Sequence, residues 1–393
     1  MRLKHNILKL YIIKGCLWFM LAMPIIVLFF QDKGLTLFQI MILQSIYSIT
    51  LSLSEIPSGY MSDYFGRKNT IIVSSIFTFI GYLIFSYLHT FEHFILAQIL
   101  IALGGSLMSG SDSALMYETL IEIKNEENYT KYEGRSYAVA NFSESIAGLI
   151  SIPLITISLN LPIHIQTFVL FFCIPVSISL IEPTKKDMYN KSNVSIKKAL
   201  NFSLIKNLKL KWLIIYSSII GVATLSAAWM AQPFFKNLDV PLVYYGILWS
   251  ALNFTAGIGS FRSHNLEKKY NHNKLILILG LSVGISFFFI SLNPNYYGIL
   301  FFFIIYLLRG YLTPFLKNQI NNESYSEIRA TVLSIRSFIL RITFAIIAPL
   351  LGYLSDNNKM SFSFLLMSIL ILIVIVFSFI KIKKLNLNIQ NSS

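Results

Sequence analysis

The stretch "SEIPSGYMSDYFGRKNT", from Ser54 to Thr70, places four charged residues, a proline and two glycines between two apolar segments. Each flanking segment is about twenty residues long, which is enough for an α-helix to cross a bilayer. The stretch therefore predicts a short polar connection at a membrane surface between two spanning helices.

The composition extends this prediction to the whole chain. Of its 393 residues, 55% are hydrophobic and only 13% are charged, whereas about a quarter of the residues of a soluble domain are charged. The apolar residues occur in blocks of spanning length, which indicates an all-α membrane protein. No small-residue cleavage site follows the first block, so we expect a retained helix rather than a signal peptide.

Twelve spans are predicted, six on each side of a long polar segment. They cover residues 8–30, 37–58, 70–89, 93–118, 136–158, 164–181, 211–235, 243–262, 275–292, 297–316, 331–354 and 362–380. The domains follow from this division: an N-terminal six-helix bundle at 1–181, a cytoplasmic linker at 182–210, a C-terminal six-helix bundle at 211–380 and a cytoplasmic tail at 381–393.

The net charge of +14 is a topology signal rather than a sign of nucleic-acid binding. Of the 32 Lys and Arg residues, only Lys33, Lys236 and Lys359 fall in the loops on one side of the membrane. Because Lys and Arg accumulate in cytoplasmic loops, both termini and the linker are predicted to be cytoplasmic. The expected partners are the bilayer, protons and a small-molecule substrate, with no nucleic acid.

A faint internal repeat relates the two halves. The segment "GRSYAVANFSESI" from Gly134 corresponds to "IRATVLSIRSFIL" from Ile328, and both enter a helix from a cytoplasmic loop. Repeated halves are typical of secondary transporters. We therefore predict two pseudo-symmetric bundles with a cavity between them.

The opening stretch carries the pattern Gly-x-x-x-Asp-x-x-Gly-Arg-Lys, formed by Gly59, Asp63, Gly66, Arg67 and Lys68. The two glycines are expected to permit a sharp turn and close approach of the backbone. Asp63 is expected to cap a helix start, and the two cations to hold the loop on the cytoplasmic side.

In this position the pattern resembles the main signature of the major facilitator superfamily. "EIPSG" before it, "GSDSALMYETL" at the end of the fourth span and "RATVLS" at the start of the eleventh resemble a prokaryotic branch of drug or metabolite transporters. The resemblance covers the whole chain and implies the fold of that superfamily. It also implies that the loop is a conformational latch of the outward-facing state. Because Glu118 lies close to the cytoplasmic surface, we expect it to be the partner of Arg67 or Lys68.

Carboxylates inside spans are candidates for proton coupling, because a charge within a bilayer costs about 2.5–3.5 kcal/mol at the centre of a helix. Asp112 is predicted either to pair with the polar connection or to take part in proton or substrate coupling. Glu144, about two turns into the fifth span, is predicted either to carry a proton or to form a buried ion pair.

Three arginines lie within spans of the second half. Arg309 and Arg341 are candidates for the substrate cavity, and Arg336 is expected to pair with an acidic residue. Trp229 and Gln232 are a candidate polar and aromatic pair in the same cavity. Because the acids lie in the first half and the arginines in the second, ion pairs between the halves are one interpretation. The other interpretation is that an anion-accepting surface in the second half faces a proton-accepting surface in the first.

We predict a secondary active transporter of the bacterial inner membrane that moves a small organic solute by alternating access. Proton-coupled efflux of an amphipathic compound is the first hypothesis, and uptake or export of an anionic metabolite is the alternative. A membrane sensor without transport is the alternative of another class. No P-loop, catalytic set or metal-ligand spacing occurs, so we expect no enzyme, no cofactor and no metal, and we expect a monomer.

Overall fold

The computed structural model describes residues 2–183, 196–269, 271–325 and 328–392, and these ranges are almost entirely α-helical and contain no strand. The helices are α1 His5–Trp18, α2 Ile26–Asp32, α3 Leu37–Phe65, α4 Arg67–Tyr87, α5 Phe91–Met108, α6 Ser111–Glu122, α7 Tyr129–Ile157, α8 Leu161–Ile178, α9 Ile196–Asn201, α10 Leu208–Asn237, α11 Val243–Lys269, α12 His272–Leu292, α13 Tyr296–Asn322, α14 Arg329–Asp356 and α15 Met360–Ser392. The predicted all-α class is confirmed.

Eleven helical segments among the described residues are long and apolar enough to cross a membrane. The predicted eighth span coincides with α11, which has 27 residues but is not among the eleven. Asn253, Thr255 and Arg262 lie along it and lower its apolar character, although its length suffices for a span.

The chain forms two compact units. Unit 1 comprises Met1–Met188 and Pro241–Ser250, and unit 2 comprises Tyr189–Val240 and Ala251–Ser393. Residues 184–195 of the predicted linker lie outside the described residues. The rest of it includes α9 and a π-helical turn, Phe202–Lys206. The predicted tail continues α15 as helix to Ser392.

Polar side chains fix the starts of several spans. Thr36 and Gln39 form a reciprocal capping box at α3, Thr90 accepts a hydrogen bond from the His93 N–H at α5, and Asn207 accepts one from the Leu210 N–H at α10. The first N–H groups of a helix have no partner within the helix. These caps therefore set where each span begins.

Two predicted spans are interrupted. The first divides into α1 and α2 around a 3₁₀ turn that contains Pro24, and the fourth divides into α5 and α6 at Ser109 and Gly110. Gly110 has φ 84°, which glycine adopts without steric cost. This break places Asp112 in the first turn of α6.

Each unit has its own buried core. In unit 1, Ile7, Leu10 and Ile13 of α1 pack with Ile71 of α4 and Leu115 of α6. In unit 2, the buried Tyr216 donates a hydrogen bond from its hydroxyl to the Ile276 carbonyl at 2.6 Å, which ties α10 to α12. The charged groups described next are held on these two frameworks.

Candidate functional site

The connection between the second and third spans is much shorter than predicted. Helix α3 continues through Gly59 and Asp63 to Phe65, and Gly66 alone separates it from α4. Gly66 has φ 92° and makes the turn. Gly59 lies within the helix, and a Cβ there would meet no heavy atom within 4 Å. The close approach predicted for the two glycines is correct for Gly66 and wrong for Gly59.

Arg67 binds two carboxylates at once. Its guanidinium lies 2.6 Å from the carboxylate of Asp63 and 3.2 Å from that of Glu118 on α6. It also donates a hydrogen bond to the Ser62 hydroxyl at 2.8 Å, and only 12% of the side chain is exposed. The predicted partnership of Glu118 with this loop is therefore present in the structure. We call Asp63, Arg67 and Glu118 the Arg67 cluster.

The helix cap at α4 comes from a residue that sequence reasoning missed. The Glu182 carboxylate accepts hydrogen bonds from the main-chain N–H groups of Arg67 and Lys68, both at 2.7 Å. The prediction that Asp63 caps a helix start is wrong, because Asp63 lies in the last turn of α3. An acid directly before Pro183, at the start of a segment rich in lysine, is the signal that the sequence offered.

Asn6 of α1 holds the chain next to Glu182. Its side-chain amide donates to the Ile181 carbonyl at 2.7 Å, and its side-chain oxygen accepts from the Ile181 N–H at 3.0 Å. The same amide donates to the Thr119 hydroxyl at 3.2 Å. A fully buried side chain thus connects the segment after α8 to α6, directly beside Glu118.

Asp112 pairs with Lys14 rather than with the Arg67 cluster. The Lys14 ammonium lies 2.7 Å from the Asp112 carboxylate, with 24% and 14% of the two side chains exposed. The predicted partnership of Asp112 with the polar connection is wrong. Asp112 and Glu118 lie six residues apart and face different directions on α6, so that Glu118 contacts Arg67 and Asp112 contacts Lys14. Lys14, one turn before the carboxyl end of α1, supplies the compensating positive charge.

Glu144 lies half-buried on α7. The preceding residue, Ser143, faces α1, where a Cβ on Gly15 would lie 3.3 Å from its hydroxyl. Glu144 therefore lies one residue along α7 from a tight contact with α1. Its role in coupling stays a prediction.

Trp229 and Gln232 both lie on α10 in unit 2. Gln232 is buried and Trp229 is half-buried. Residues three apart lie on the same side of a helix, so the backbone places this pair together as predicted. Whether they contact a solute stays a prediction.

Arg309 is exposed on α13, and its guanidinium lies 5.6 Å from the centre of the Tyr306 ring. A cation over an aromatic face is stabilised by the ring quadrupole. The neighbouring Gly310 is packed tightly, since a Cβ there would lie 2.0 Å from the Ala256 carbonyl oxygen of α11.

Arg336 and Arg341 lie on α14. Arg336 donates hydrogen bonds to the Ser217 hydroxyl at 2.9 Å and to the Ser217 carbonyl at 3.2 Å. Within the described ranges no carboxylate pairs with either arginine, so the acidic partner predicted for Arg336 is wrong there. The Nε atom of Arg341 is buried and has no hydrogen-bond partner.

The intramembrane charges are therefore distributed differently from the first interpretation. Asp112 and Glu118 are neutralised by Lys14 and Arg67, all within unit 1. Ion pairs between the halves are not needed to compensate these two acids. In the described residues, groups of three or more His, Cys, Asp or Glu side chains that could hold a metal ion do not occur.

Comparison with known proteins identifies the fold. The sequence profile of the Major Facilitator Superfamily matches residues 10–322. The uncharacterized MFS-type transporter YxaM of Bacillus subtilis (strain 168) is 25% identical over 278 residues, which are 68% of each chain.

Solved structures of transporters share the architecture. A mutant of the nucleoside transporter NupG superposes with TM-score 0.81 at 15% identity, covering 97% of this chain and 99% of that one. A bacterial homolog of the human lysosomal transporter Spinster gives TM-score 0.75 at 13% identity, covering 97% of both chains. These likenesses confirm the predicted twelve-helix fold, and the chain belongs to the Major Facilitator Superfamily.

Proposed function

We propose that this protein is a secondary active transporter that moves a small organic solute across the bacterial inner membrane by alternating access, driven by the proton gradient. Membership of the superfamily supports transport. The half-buried carboxylate of Glu144 within a span supports proton coupling, because ionisable groups retained inside membrane spans are usually functional. We further propose that both termini are cytoplasmic, that the protein works as a monomer and that it has no enzymatic activity.

Of the two solute classes predicted from the sequence, we favour an anionic metabolite. One observation carries this choice: Arg336 and Arg341 lie within a span, and no carboxylate among the described residues pairs with them. A guanidinium keeps its charge in proteins, so a negatively charged solute would compensate it.

Efflux of an amphipathic compound in exchange for protons remains the second proposal. Its support is the resemblance to prokaryotic drug transporters and the position of Trp229 beside Gln232 on α10. Aromatic and amide side chains are common in pockets for such ligands. In this proposal the arginines would have a structural role.

The test uses the purified full chain in two steps. A panel of organic anions and amphipathic cations is first screened for compounds that raise the thermal unfolding midpoint, since a ligand of the folded state stabilises it. The most effective compound is then offered, radiolabelled, to proteoliposomes with and without a pH gradient.

We expect accumulation only with the gradient, and loss of accumulation when a protonophore collapses it. Accumulation that persists with the protonophore would refute proton coupling. Stabilisation by amphipathic cations alone would favour the second proposal over the first.

A further inference from the structure

Two like charges of unit 2 interact through space. Arg336 and Arg341 belong to the same membrane span, Thr331–Asp356 of α14, and their guanidinium groups repel each other electrostatically. Five residues of α-helix separate their Cα atoms by about 7.5 Å along the axis and rotate them by about 140° around it. The repulsion therefore acts through the long side chains, which reach beyond the helix backbone.

In the described ranges, the hydrogen-bond partners of Arg336 are neutral groups. Ser217 of α10 accepts from its Nε and Nη2 atoms at 2.9 and 3.2 Å, and the Ser218 hydroxyl donates to its carbonyl at 3.2 Å. A guanidinium has five N–H donors, so this anchoring leaves others unused. Serine oxygens orient the group but do not neutralise its charge.

Arg341 has fewer hydrogen bonds than Arg336. Its Nε–H group is buried and has no acceptor among the described residues, while the residue as a whole is half-buried. In the described part of the chain it forms no ion pair. A buried donor without a partner costs about 1–3 kcal/mol, and more when the group is charged, so this arrangement requires an explanation.

Unit 1 provides the contrast. There Lys14 faces Asp112 at 2.7 Å, and Arg67 faces both Asp63 and Glu118. Among the residues that the structure describes, carboxylates face these two cations and none faces the pair on α14. Because retained intramembrane charges are usually functional, an external anion is the natural partner of the α14 pair.

We propose that Arg336 and Arg341 form a binding site for an oxyanion, a carboxylate or phosphate group of the solute. This inference rests on the proposed function and assigns its substrate class to one site. Arg341 supplies the free planar fork that matches two oxygens of such a group. Arg336, fixed by Ser217, adds a second positive charge from a set direction.

The first experiment needs no ligand. Replacing an uncompensated buried charge by a neutral side chain removes a desolvation cost, whereas removing one partner of an ion pair exposes the other. We therefore expect Arg341→Gln to raise the unfolding midpoint of the full chain in lipid-free neutral detergent. A fall in the midpoint would show that a protein group already compensates Arg341, and would overturn the proposal.

The second experiment measures binding. Inorganic phosphate, citrate and glycerol phosphate are titrated against the full chain, with sodium chloride at equal ionic strength as the blank. We expect at least one to raise the midpoint saturably, and Arg341→Gln to weaken that binding about tenfold or more, as for loss of a charge-assisted hydrogen bond. Arg341→Lys should bind with intermediate affinity, because it keeps the charge but loses the fork.

The matched control is Arg262→Gln, which removes the same charge from an exposed position on α11 and should leave the affinity unchanged. Equal weakening in both variants would reduce the effect to net charge and overturn the site. Absence of saturable stabilisation by all three probes would also overturn it.

A membrane lipid is the other source of an oxyanion. Adding phosphatidylglycerol to the same micelles distinguishes the two: stabilisation by this lipid alone, dependent on Arg341, would assign the site to a headgroup and contradict a solute site. Binding of soluble oxyanions without transport in liposomes would instead refute the proposed function and leave the site intact.

Discussion

The carboxylate of Glu182 accepts a hydrogen bond from the main-chain N–H of Arg67 at 2.7 Å, and its second oxygen accepts one from Lys68. Glu182 follows the sixth span and caps the amino end of α4, which is the third span. The side chain of the same Arg67 meanwhile binds Asp63 and Glu118. One residue thereby joins three segments through its backbone and its guanidinium separately.

Glu182→Gln should lower the stability of the full chain. Glutamine has one acceptor oxygen where glutamate uses two, its NH2 group cannot accept a hydrogen bond, and it loses the interaction of a negative charge with the helix dipole. We therefore expect a cost of about 1–2 kcal/mol. The thermal unfolding midpoint in micelles measures it. Glu127→Gln, at an exposed position, is the control, and equal midpoints for the two variants would contradict the capping role.

Gly59 and Gly66 should respond oppositely to alanine. At Gly66 a Cβ would lie 3.0 Å from a Glu182 carboxylate oxygen, in a backbone conformation with φ 92° that L-residues rarely adopt. Gly66→Ala should therefore destabilise the protein by about 1 kcal/mol or more. Gly59→Ala has open space within a helix and should be neutral or stabilising by up to about 1 kcal/mol. Unfolding midpoints of the pair test this, and a larger loss at Gly59 would refute the assignment of the turn to Gly66.

Lys14 and Asp112 should be energetically coupled. Either Lys14→Met or Asp112→Asn alone leaves an uncompensated charge within a span, which costs several kcal/mol when buried, but the double variant leaves none. A double-mutant cycle on the unfolding midpoint should therefore give a coupling energy of about 1–3 kcal/mol. Additive effects would show that the 2.7 Å contact contributes no stability.

The contacts of Glu182 and Lys14 separate what could be predicted from the sequence from what could not. Block lengths and the motif at Gly59 to Lys68 indicated the twelve helices and the superfamily, because helix length and hydropathy are local properties. The charge pairs were not local: Glu182 caps a helix that begins at Arg67, and Lys14 reaches Asp112 across a different pair of helices. The depth of these charges follows from their positions within the predicted spans, whereas the helix that lies opposite each of them does not.

The helix breaks were missed for a related reason. Gly110 stands in the short polar stretch "SGSDS" inside a segment that we predicted as one continuous span, yet it takes φ 84° and starts a second helix. Hydropathy averaged over a window of spanning length hides so short a polar stretch, and no proline marks the break. Local patterns were insufficient for Arg336 too. We expected an acidic partner, but its guanidinium donates a hydrogen bond to Ser217 of α10.

Glu144→Gln should separate transport from its energy source. If Glu144 carries the proton, the neutral variant should still exchange labelled for unlabelled solute across a liposome membrane, because exchange needs no net proton movement. It should lose accumulation driven by a pH gradient. Accumulation equal to that of the wild type would leave Glu144 with a structural role only.

Proton movement coupled to the solute tests the central claim most directly. Proteoliposomes containing the full chain and a trapped pH-sensitive dye receive the solute that stabilises the protein most, without an imposed gradient. Coupled transport predicts a change in internal pH that requires both the protein and the solute, and that Glu144→Gln abolishes. Solute movement with no change in internal pH would contradict proton coupling.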